Sequence, residues 1–271
     1  MRIDKTDSAH FHRPAIGDFA RLLHDEGVDS SITSSSSTSS HSYEDGKLGT
    51  HGTTVIALKY DNGVLNIADR RATSSSGIMY EEAKKLLPLD DDTLIAIAGS
   101  YAQAAEAARF LRHSFKYYAR SQLQELSLEG KLAEVSRLLS QNIAGVMQGI
   151  GGFLPVISAY DRHQDLGRIF FYDVMGARFE SREYGAAGSG AEKIRGTFEY
   201  VVRSRGPFHE MDLGDVLHEG LLMLDVAAGL DPATSGLHGV PPLAKTITVD
   251  GVADVGEDRI REIQEELLQD L

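Results

Sequence analysis

The sequence predicts an α+β chain folded as a four-layer αββα sandwich, and three observations carry that expectation. Short strand-like runs alternate with pairs of amphipathic helices, in the order strands, two helices, strands, two helices, strands. Strand runs come in groups joined by tight turns, so antiparallel pairing is favoured over βαβ crossovers. Each helix carries an apolar stripe on one face only. Two sheets packed face to face, each covered by a helix pair, would bury every one of these stripes.

The elements follow in order. Thr53–Tyr60 (TTVIALKY) is a β-branched run, Asp61-Asn62-Gly63 is a strong tight-turn signal, and Val64–Ala68 is a second strand. Lys84–Leu89 reads as a short strand, and Thr93–Ala98 (TLIAIA) as a compact apolar one ending in Gly99-Ser100. A long helix then places Ala104, Ala108, Leu111, Phe115 and Tyr118 on one face, and a second does the same with Leu132, Val135, Leu139, Ile143, Val146 and Ile150. Strands return at Leu154–Tyr160, Gly167–Phe171 and Ala177–Glu183. After Gly188-Ser189-Gly190 come a helix with Ile194, Phe198 and Val201 and another with Leu213, Val216, Leu217, Leu221 and Leu224. Lys245–Val249 and Val252–Val255 read as a hairpin turned by Asp250-Gly251. Ile260, Ile263, Leu267 and Leu271 stripe a final helix.

The first fifty residues differ in texture. Nine of the thirteen residues from Ser30 to Ser42 are Ser, too little apolar surface to offset the entropy of ordering, which predicts a flexible segment. Upstream, Ala15–Val28 holds Ile16, Phe19, Leu22 and Leu23 at helical spacing. It reads either as a short amphipathic helix that docks elsewhere or as a marginal helix in a disordered tail.

Composition narrows the function. The 271 residues carry a net charge of −13, which argues against a nucleic-acid or anionic-membrane partner. No apolar run approaches the ~20 residues that span a bilayer, and the N-terminus lacks the apolar core of a secretory signal, so the expected compartment is the cytoplasm. The absence of cysteine removes disulfides, thiolate zinc sites and thiol nucleophiles. His209-Glu210 and His218-Glu219 do not extend to a His-Glu-x-x-His pattern, so neither a metal site nor a cofactor is expected. The glycine-rich turn before residue 191 lacks the Lys-Ser/Thr of a phosphate-binding loop.

The junction His51-Gly52-Thr53-Thr54 joins the Ser-rich leader to the first strand. Glycine there would let the chain bend tightly, so that Thr53 Oγ could attack the Gly52 carbonyl. Hydrolysis of the resulting ester would leave Thr53 with a free α-amine. Such an amine has an unperturbed pKa of ~7.7–8.0 and can act as base for its own hydroxyl. Taken alone, Gly-Thr-Thr at the head of a strand is equally explained by the β preference of threonine. Spacing adds to it. Asp69 follows Thr53 by sixteen residues at the end of the second strand, and Lys85 follows by thirty-two at the start of a third. Three adjacent antiparallel strands would let Thr53, Asp69 and Lys85 converge, with Asp69 holding the lysine charged beside the hydroxyl. Singly, Asp69 before two arginines reads as a turn charge, Lys85 as a solvated lysine, Gly99 as a strand end and Ser189 as a helix cap.

Together these residues resemble a known family. The run TTVIALKY-DNG-VLNIADRRAT, Lys85 and the Ile-Ala-Gly-Ser at residues 97–100 are similar to proteasome β subunits of the N-terminal-nucleophile hydrolase family, bacterial and actinobacterial type. The resemblance spans residues 53–271. It implies a threonine endopeptidase in which Thr53 is nucleophile and base, and Asp69 and Lys85 complete the catalytic group. Gly99 N–H would be an oxyanion donor, worth roughly 3–4 kcal/mol. Gly188-Ser189-Gly190 matches the family's Gly-Ser-Gly, and Asp231-Pro232-Ala233-Thr234 its Asp-Ser-Ala-Ser/Thr. The resemblance thereby brings Ser189, Asp231 and Thr234 near the α-amine. Pro232 departs from that pattern and removes a backbone donor, which puts the part of Thr234 in doubt.

The resemblance also implies that residues 1–52 are a propeptide removed by self-cleavage between Gly52 and Thr53. Ala72, Thr73, Met79, Ala83, Ile97 and Tyr101 would line the pocket for the side chain preceding the cut. Their uncharged character suggests cleavage after Tyr, Phe or Leu, although Tyr101 would narrow the pocket. Thr73 would bind substrate backbone as an added strand. Homo-heptameric β rings stacked with α subunits in a 28-mer particle, a regulatory ATPase ring and unfolded protein substrates are further implications. Rival readings are a shorter related peptidase with Asp-Gly-Gln at residues 69–71, a non-catalytic ring subunit, and a small-molecule amidohydrolase.

Overall fold

The computed structural model describes residues 52–74, 77–147 and 152–270. The leader up to His51, with the Ala15–Val28 and Ser30–Ser42 readings, lies outside the described residues. Within them the αββα sandwich is present. One sheet has the order β10-β1-β2-β11-β12, built from β1 (Thr54–Tyr60), β2 (Gly63–Ala68), β10 (Tyr184–Gly188), β11 (Leu243–Thr248) and β12 (Gly251–Asp254). The other runs β5-β6-β7-β8-β9, from β5 (Leu86–Pro88), β6 (Thr93–Gly99), β7 (Phe153–Asp161), β8 (Leu166–Tyr172) and β9 (Arg178–Ser181). A separate hairpin joins β3 (Ala72–Ser74) to β4 (Gly77–Tyr80).

Side-chain alternation along β1 explains the layering. Val55 and Ala57 point between the sheets, where they meet Leu94, Ala96, Val156 and Ile169. Ile56 and Leu58 point the other way, onto Ile194 and Phe198 of one helix and Leu217 and Leu221 of the next. Those helices are α4 (Ala191–Arg205) and α5 (Leu213–Leu230), which share the layer with α6 (Glu257–Asp270). On the opposite side Ile95, Ile157 and Phe170 pack against α1 (Tyr101–Gln122) and α2 (Leu128–Gln141) through Ala104, Leu111, Leu132 and Leu139. Large side chains therefore face the helices, while smaller ones dominate the layer between the sheets and let them approach closely. A Cβ on Gly167 would sit 2.7 Å from the backbone of Gly63 in the opposing sheet. Each fully buried Leu or Ile contributes roughly 1.5–3 kcal/mol of transfer free energy.

Three expectations need correction. Lys85 does not lie on a strand adjacent to β2. The edge of β2 away from β1 is taken by β11, with Leu243 opposite Ala68, and Lys85 leads into β5, which pairs with β6 in the second sheet (Leu86 opposite Ala96). The strand expected at Ala177–Glu183 is shortened to β9, which closes one sheet, and the chain then crosses to form β10 in the other, a strand the sequence reading lacked. The Gly185-Ala-Ala-Gly run of β10 has no β-branched residue, yet small residues are what the inter-sheet space admits. A Cβ on Gly185 would come within 2.9 Å of Ile169. Finally, α2 ends at Gln141, Asn142 interrupts it, and a short α3 (Ile143–Met147) follows; Ile150 is outside the described residues.

Candidate active site

The site lies where β1 begins and β2 ends. The β1–β2 hairpin pairs Val55 with Ala68, so its register brings Thr53 and Asp69 to the same edge of the sandwich. Thr53 is 4% exposed and directly precedes β1. Gly188, with φ of +107°, passes so close that a Cβ there would fall 1.7 Å from the Thr53 carbonyl oxygen. Only glycine fits that backbone and that space. Gly52 is constrained sterically as well, since a Cβ on it would lie 1.8 Å from Ala233 Cβ. Its N–H donates to Thr73 Oγ1 at 2.9 Å.

Asp69 is fully buried and both its oxygens are saturated. Oδ1 accepts the Thr54 N–H at 2.8 Å and Lys85 Nζ at 2.7 Å, and Oδ2 accepts the N–H groups of Arg71 at 3.1 Å and Ser235 at 3.2 Å. Lys85 reaches it from the opposing sheet, 2% exposed, and spends a second N–H on the Arg71 carbonyl at 2.5 Å. An ammonium has three N–H donors, so one remains. Burial pushes Lys85 below the usual lysine value, against the opposing pull of Asp69.

A second cluster flanks the first. Asp231 ends α5, and its Oδ2 accepts Ser189 Oγ at 2.5 Å and Thr234 Oγ1 at 2.7 Å, while Oδ1 accepts the Ala233 N–H at 3.1 Å. Burial pushes this carboxyl up, but the hydrogen bonds from Ser189, Thr234 and Ala233 outweigh it and hold Asp231 below the usual carboxylate range. Ser189 therefore serves Asp231 rather than capping α4, whose N-cap is Gly190. Pro232 leaves the loop intact, because the donors in use are the N–H groups of Ala233 and of Thr234, the latter bonded to Asp231 O at 3.0 Å.

Three site residues escaped the sequence reading. Thr54 bonds Asp69 through its amide and Thr234 through its hydroxyl at 2.7 Å. Arg71 donates from Nη1 to the carbonyl oxygens of Pro232 at 3.1 Å and Thr234 at 3.4 Å, and so ties the two clusters together. Ser235 supplies an N–H to Asp69. Proximity in sequence to Thr53, Asp69 and Thr234 was the available signal, but it could not say which way each side chain turns.

The remaining sequence candidates occupy several elements. Gly99 ends β6 with φ of +101°, where a Cβ would meet Gly152 O at 2.4 Å. Ala72 and Thr73 are on β3, and Met79, 69% exposed, is on β4. Ala83 is buried and donates its N–H to Arg70 O at 2.9 Å. Ile97 is buried in the layer between the second sheet and α1, and Tyr101 begins α1 with 39% exposure. Among the described residues no cluster of acidic, histidine or cysteine side chains is arranged to hold a metal, and no helix is long and apolar enough to cross a membrane.

Two antiparallel sheets between helix layers, with a buried threonine at the head of the first strand, define the N-terminal-nucleophile hydrolase fold. Residues 50–237 match the family described as Proteasome subunit. The chain is 34% identical over 231 residues to a Proteasome subunit beta of Acidimicrobium ferrooxidans, which covers 83% of this chain and 82% of that protein. It is 33% identical over 221 residues to Proteasome subunit beta 2 of Thermomonospora curvata, covering 80% and 77% of the two chains. With a Proteasome subunit beta of Streptomyces griseus it shares 31% identity over 227 residues, 81% and 77% of the respective lengths. The chain belongs to the proteasome subunit family.

Proposed function

We propose that this chain is the catalytic β subunit of a bacterial proteasome, a threonine endopeptidase made as a precursor and activated by cleavage between Gly52 and Thr53. The observation that carries this reading is the buried Asp69–Lys85 pair, whose lysine keeps one N–H uncommitted next to the start of β1. In the precursor, Thr53 Oγ adds to the Gly52 carbonyl carbon and the peptide C–N bond breaks. The acyl group moves to oxygen, and water then hydrolyses the ester. The leader leaves as a carboxylate and Thr53 gains an α-amine. In the mature site that amine takes the Oγ proton as the oxygen attacks a substrate carbonyl, with Lys85 favouring the ionised oxygen. Gly99 N–H stabilises the developing oxyanion. The departing amine takes the proton, and water releases the second fragment from Thr53.

Ser189, Asp231 and Thr234 hold the ground around the α-amine. Ala72, Thr73, Met79, Ala83, Ile97 and Tyr101 form the pocket, which takes Tyr, Phe or Leu. Faster hydrolysis of fluorogenic peptides ending in Glu or Arg would reverse that preference. Family membership supports β heptamers stacked with α rings, fed with unfolded protein by an ATPase ring in the cytoplasm. The decisive experiment is intact mass of the full chain after co-assembly with an α subunit, beside Thr53→Ala. Loss of Met1–Gly52 and peptide hydrolysis are expected for wild type only. A retained leader without hydrolysis would leave a structural ring subunit instead.

A further inference from the structure

Thr54 is held on three sides. Its N–H donates to Asp69 Oδ1 at 2.8 Å, its carbonyl accepts the Asp69 N–H at 3.1 Å, and its hydroxyl lies 2.7 Å from Thr234 Oγ1. The direction of that last bond follows from proton counting. Thr234 has one hydroxyl proton, and its oxygen also lies 2.7 Å from Asp231 Oδ2. A carboxylate held below its usual range is ionised at neutral pH and can only accept, so the Thr234 proton goes to Asp231. Thr54 must then be the donor to Thr234, giving a one-way chain Thr54 to Thr234 to Asp231. Thr54 is fully buried, so water does not compete for its proton.

The fold reserves space for this pair of hydroxyls. A Cβ on Gly190 would sit 2.3 Å from Thr54 Oγ1 and 3.0 Å from Thr234 Oγ1. Thr54 is thus bonded to both acidic clusters, the Asp69–Lys85 pair through its main chain and the Asp231–Ser189–Thr234 group through its side chain, and unlike Arg71 it reaches the second group by a hydroxyl-to-hydroxyl bond.

We propose that Thr54 is a positioning residue whose hydroxyl, donated to Thr234 on the way to Asp231, fixes the orientation of Thr53 one peptide bond upstream. This rests on the reading of Thr53 as nucleophile. The hydroxyl reaches no substrate atom, so its removal acts on kcat and on leader removal, and leaves KM alone.

The test uses the full chain assembled with α subunits, in wild type, Thr54→Ser, Thr54→Val, Thr234→Val, the Thr54→Val/Thr234→Val double variant and Thr53→Ala. Thr54→Ser keeps the donor and is expected within about twofold of wild type, whereas Thr54→Val leaves a buried acceptor unmet and loses about tenfold in kcat at unchanged KM. Because the two hydroxyls act as one chain, the double variant should be no worse than about twofold beyond the poorer single one. Should Thr54→Val disturb assembly, the comparison of Thr54→Ser with Thr234→Val still separates the donor from mere size. Wild-type kcat in Thr54→Val, equal damage in Thr54→Ser, or fully additive losses overturns the proposal while an inactive Thr53→Ala leaves the nucleophile standing. An active Thr53→Ala overturns both.

Discussion

Lys85 Nζ and Asp69 Oδ1 lie 2.7 Å apart across the boundary between the two sheets, both fully enclosed by protein. The pair is unequal in its support. Without Lys85, the Asp69 carboxylate still has the N–H groups of Thr54, Arg71 and Ser235. Without Asp69, the ammonium keeps only the Arg71 carbonyl. Breaking a buried ion pair from one side costs about 3–5 kcal/mol, and Asp69→Ala should fall at the high end with Lys85→Met at the low end or below it. Urea unfolding of the full chain measures both, and a larger loss for Lys85→Met would contradict the asymmetry. Peptide hydrolysis should fall at least about 1,000-fold in either variant.

Alkaline pH isolates the lysine. Burial lowers the Lys85 pKa from 10.5 in spite of Asp69, so the folded chain binds this proton less tightly than the unfolded chain does. Below the folded pKa the buried charge costs stability. That cost is relieved as pH rises through the folded pKa towards 10.5. Wild type measured against Lys85→Met should therefore gain stability with rising pH in that window. A difference that is flat or falling there would reverse the sign. In the rate profile, the same deprotonation should bring the alkaline limb below the usual lysine range, because the proposed role needs the ammonium form.

These relationships were unequally legible in the sequence. Asp61-Asn62-Gly63 fixes a tight hairpin, and the hairpin register alone carries Asp69 to Thr53, so that spacing could be read directly. Nothing in Lys84–Leu89 says which sheet edge it joins. That is settled by β11 occupying the far side of β2, a contact with residues nearly two hundred positions away. The Gly185-Ala-Ala-Gly strand was hidden for a physical reason, since its small residues answer the opposing sheet rather than any local propensity. The β3–β4 hairpin was also missed, and the short, largely exposed Gly77–Tyr80 strand lacks the in-out alternation that marks a half-buried one. Ser189 and Asp231 came from motif resemblance, but their 2.5 Å bond is a property of the turn before α4 meeting the end of α5.

Acid pH reports on the second cluster. Hydrogen bonds from Ser189, Thr234 and Ala233 hold Asp231 below 3.8 against the opposing effect of burial. A carboxyl with a depressed folded pKa adds stability that is present above the unfolded pKa and lost as pH falls through the folded one. Wild type compared with Asp231→Asn should show this extra acid sensitivity below about pH 4. Ser189→Ala, lacking one donor, should lose part of it. If Asp231→Asn and wild type lose stability in parallel down to pH 2, the hydrogen bonds are not holding the ionised form.

Leader removal and peptide hydrolysis should separate at Gly52, and Thr73 should affect leader removal through its bond to Gly52. Alanine at residue 52 must push its Cβ into Ala233, 1.8 Å away, and so displace the carbonyl that Thr53 attacks in the proposed self-cleavage. Thr73→Val removes the acceptor of the Gly52 N–H while Thr73→Ser keeps it. Misplacement of about 1 Å at a reacting centre costs on the order of 100-fold, so Gly52→Ala should retard self-cleavage by about that factor. Thr73→Val should slow it about tenfold, with Thr73→Ser close to wild type. Under the proposed cleavage, residue 52 is absent from the mature enzyme. Particles of the Gly52→Ala chain that have lost the leader should therefore hydrolyse peptides at the wild-type rate per processed subunit. Intact mass against time gives the first quantity and active-site titration with a threonine-directed covalent inhibitor normalises the second. A Gly52→Ala chain that processes normally would place the scissile bond elsewhere, since no cut at residues 52–53 can ignore that clash.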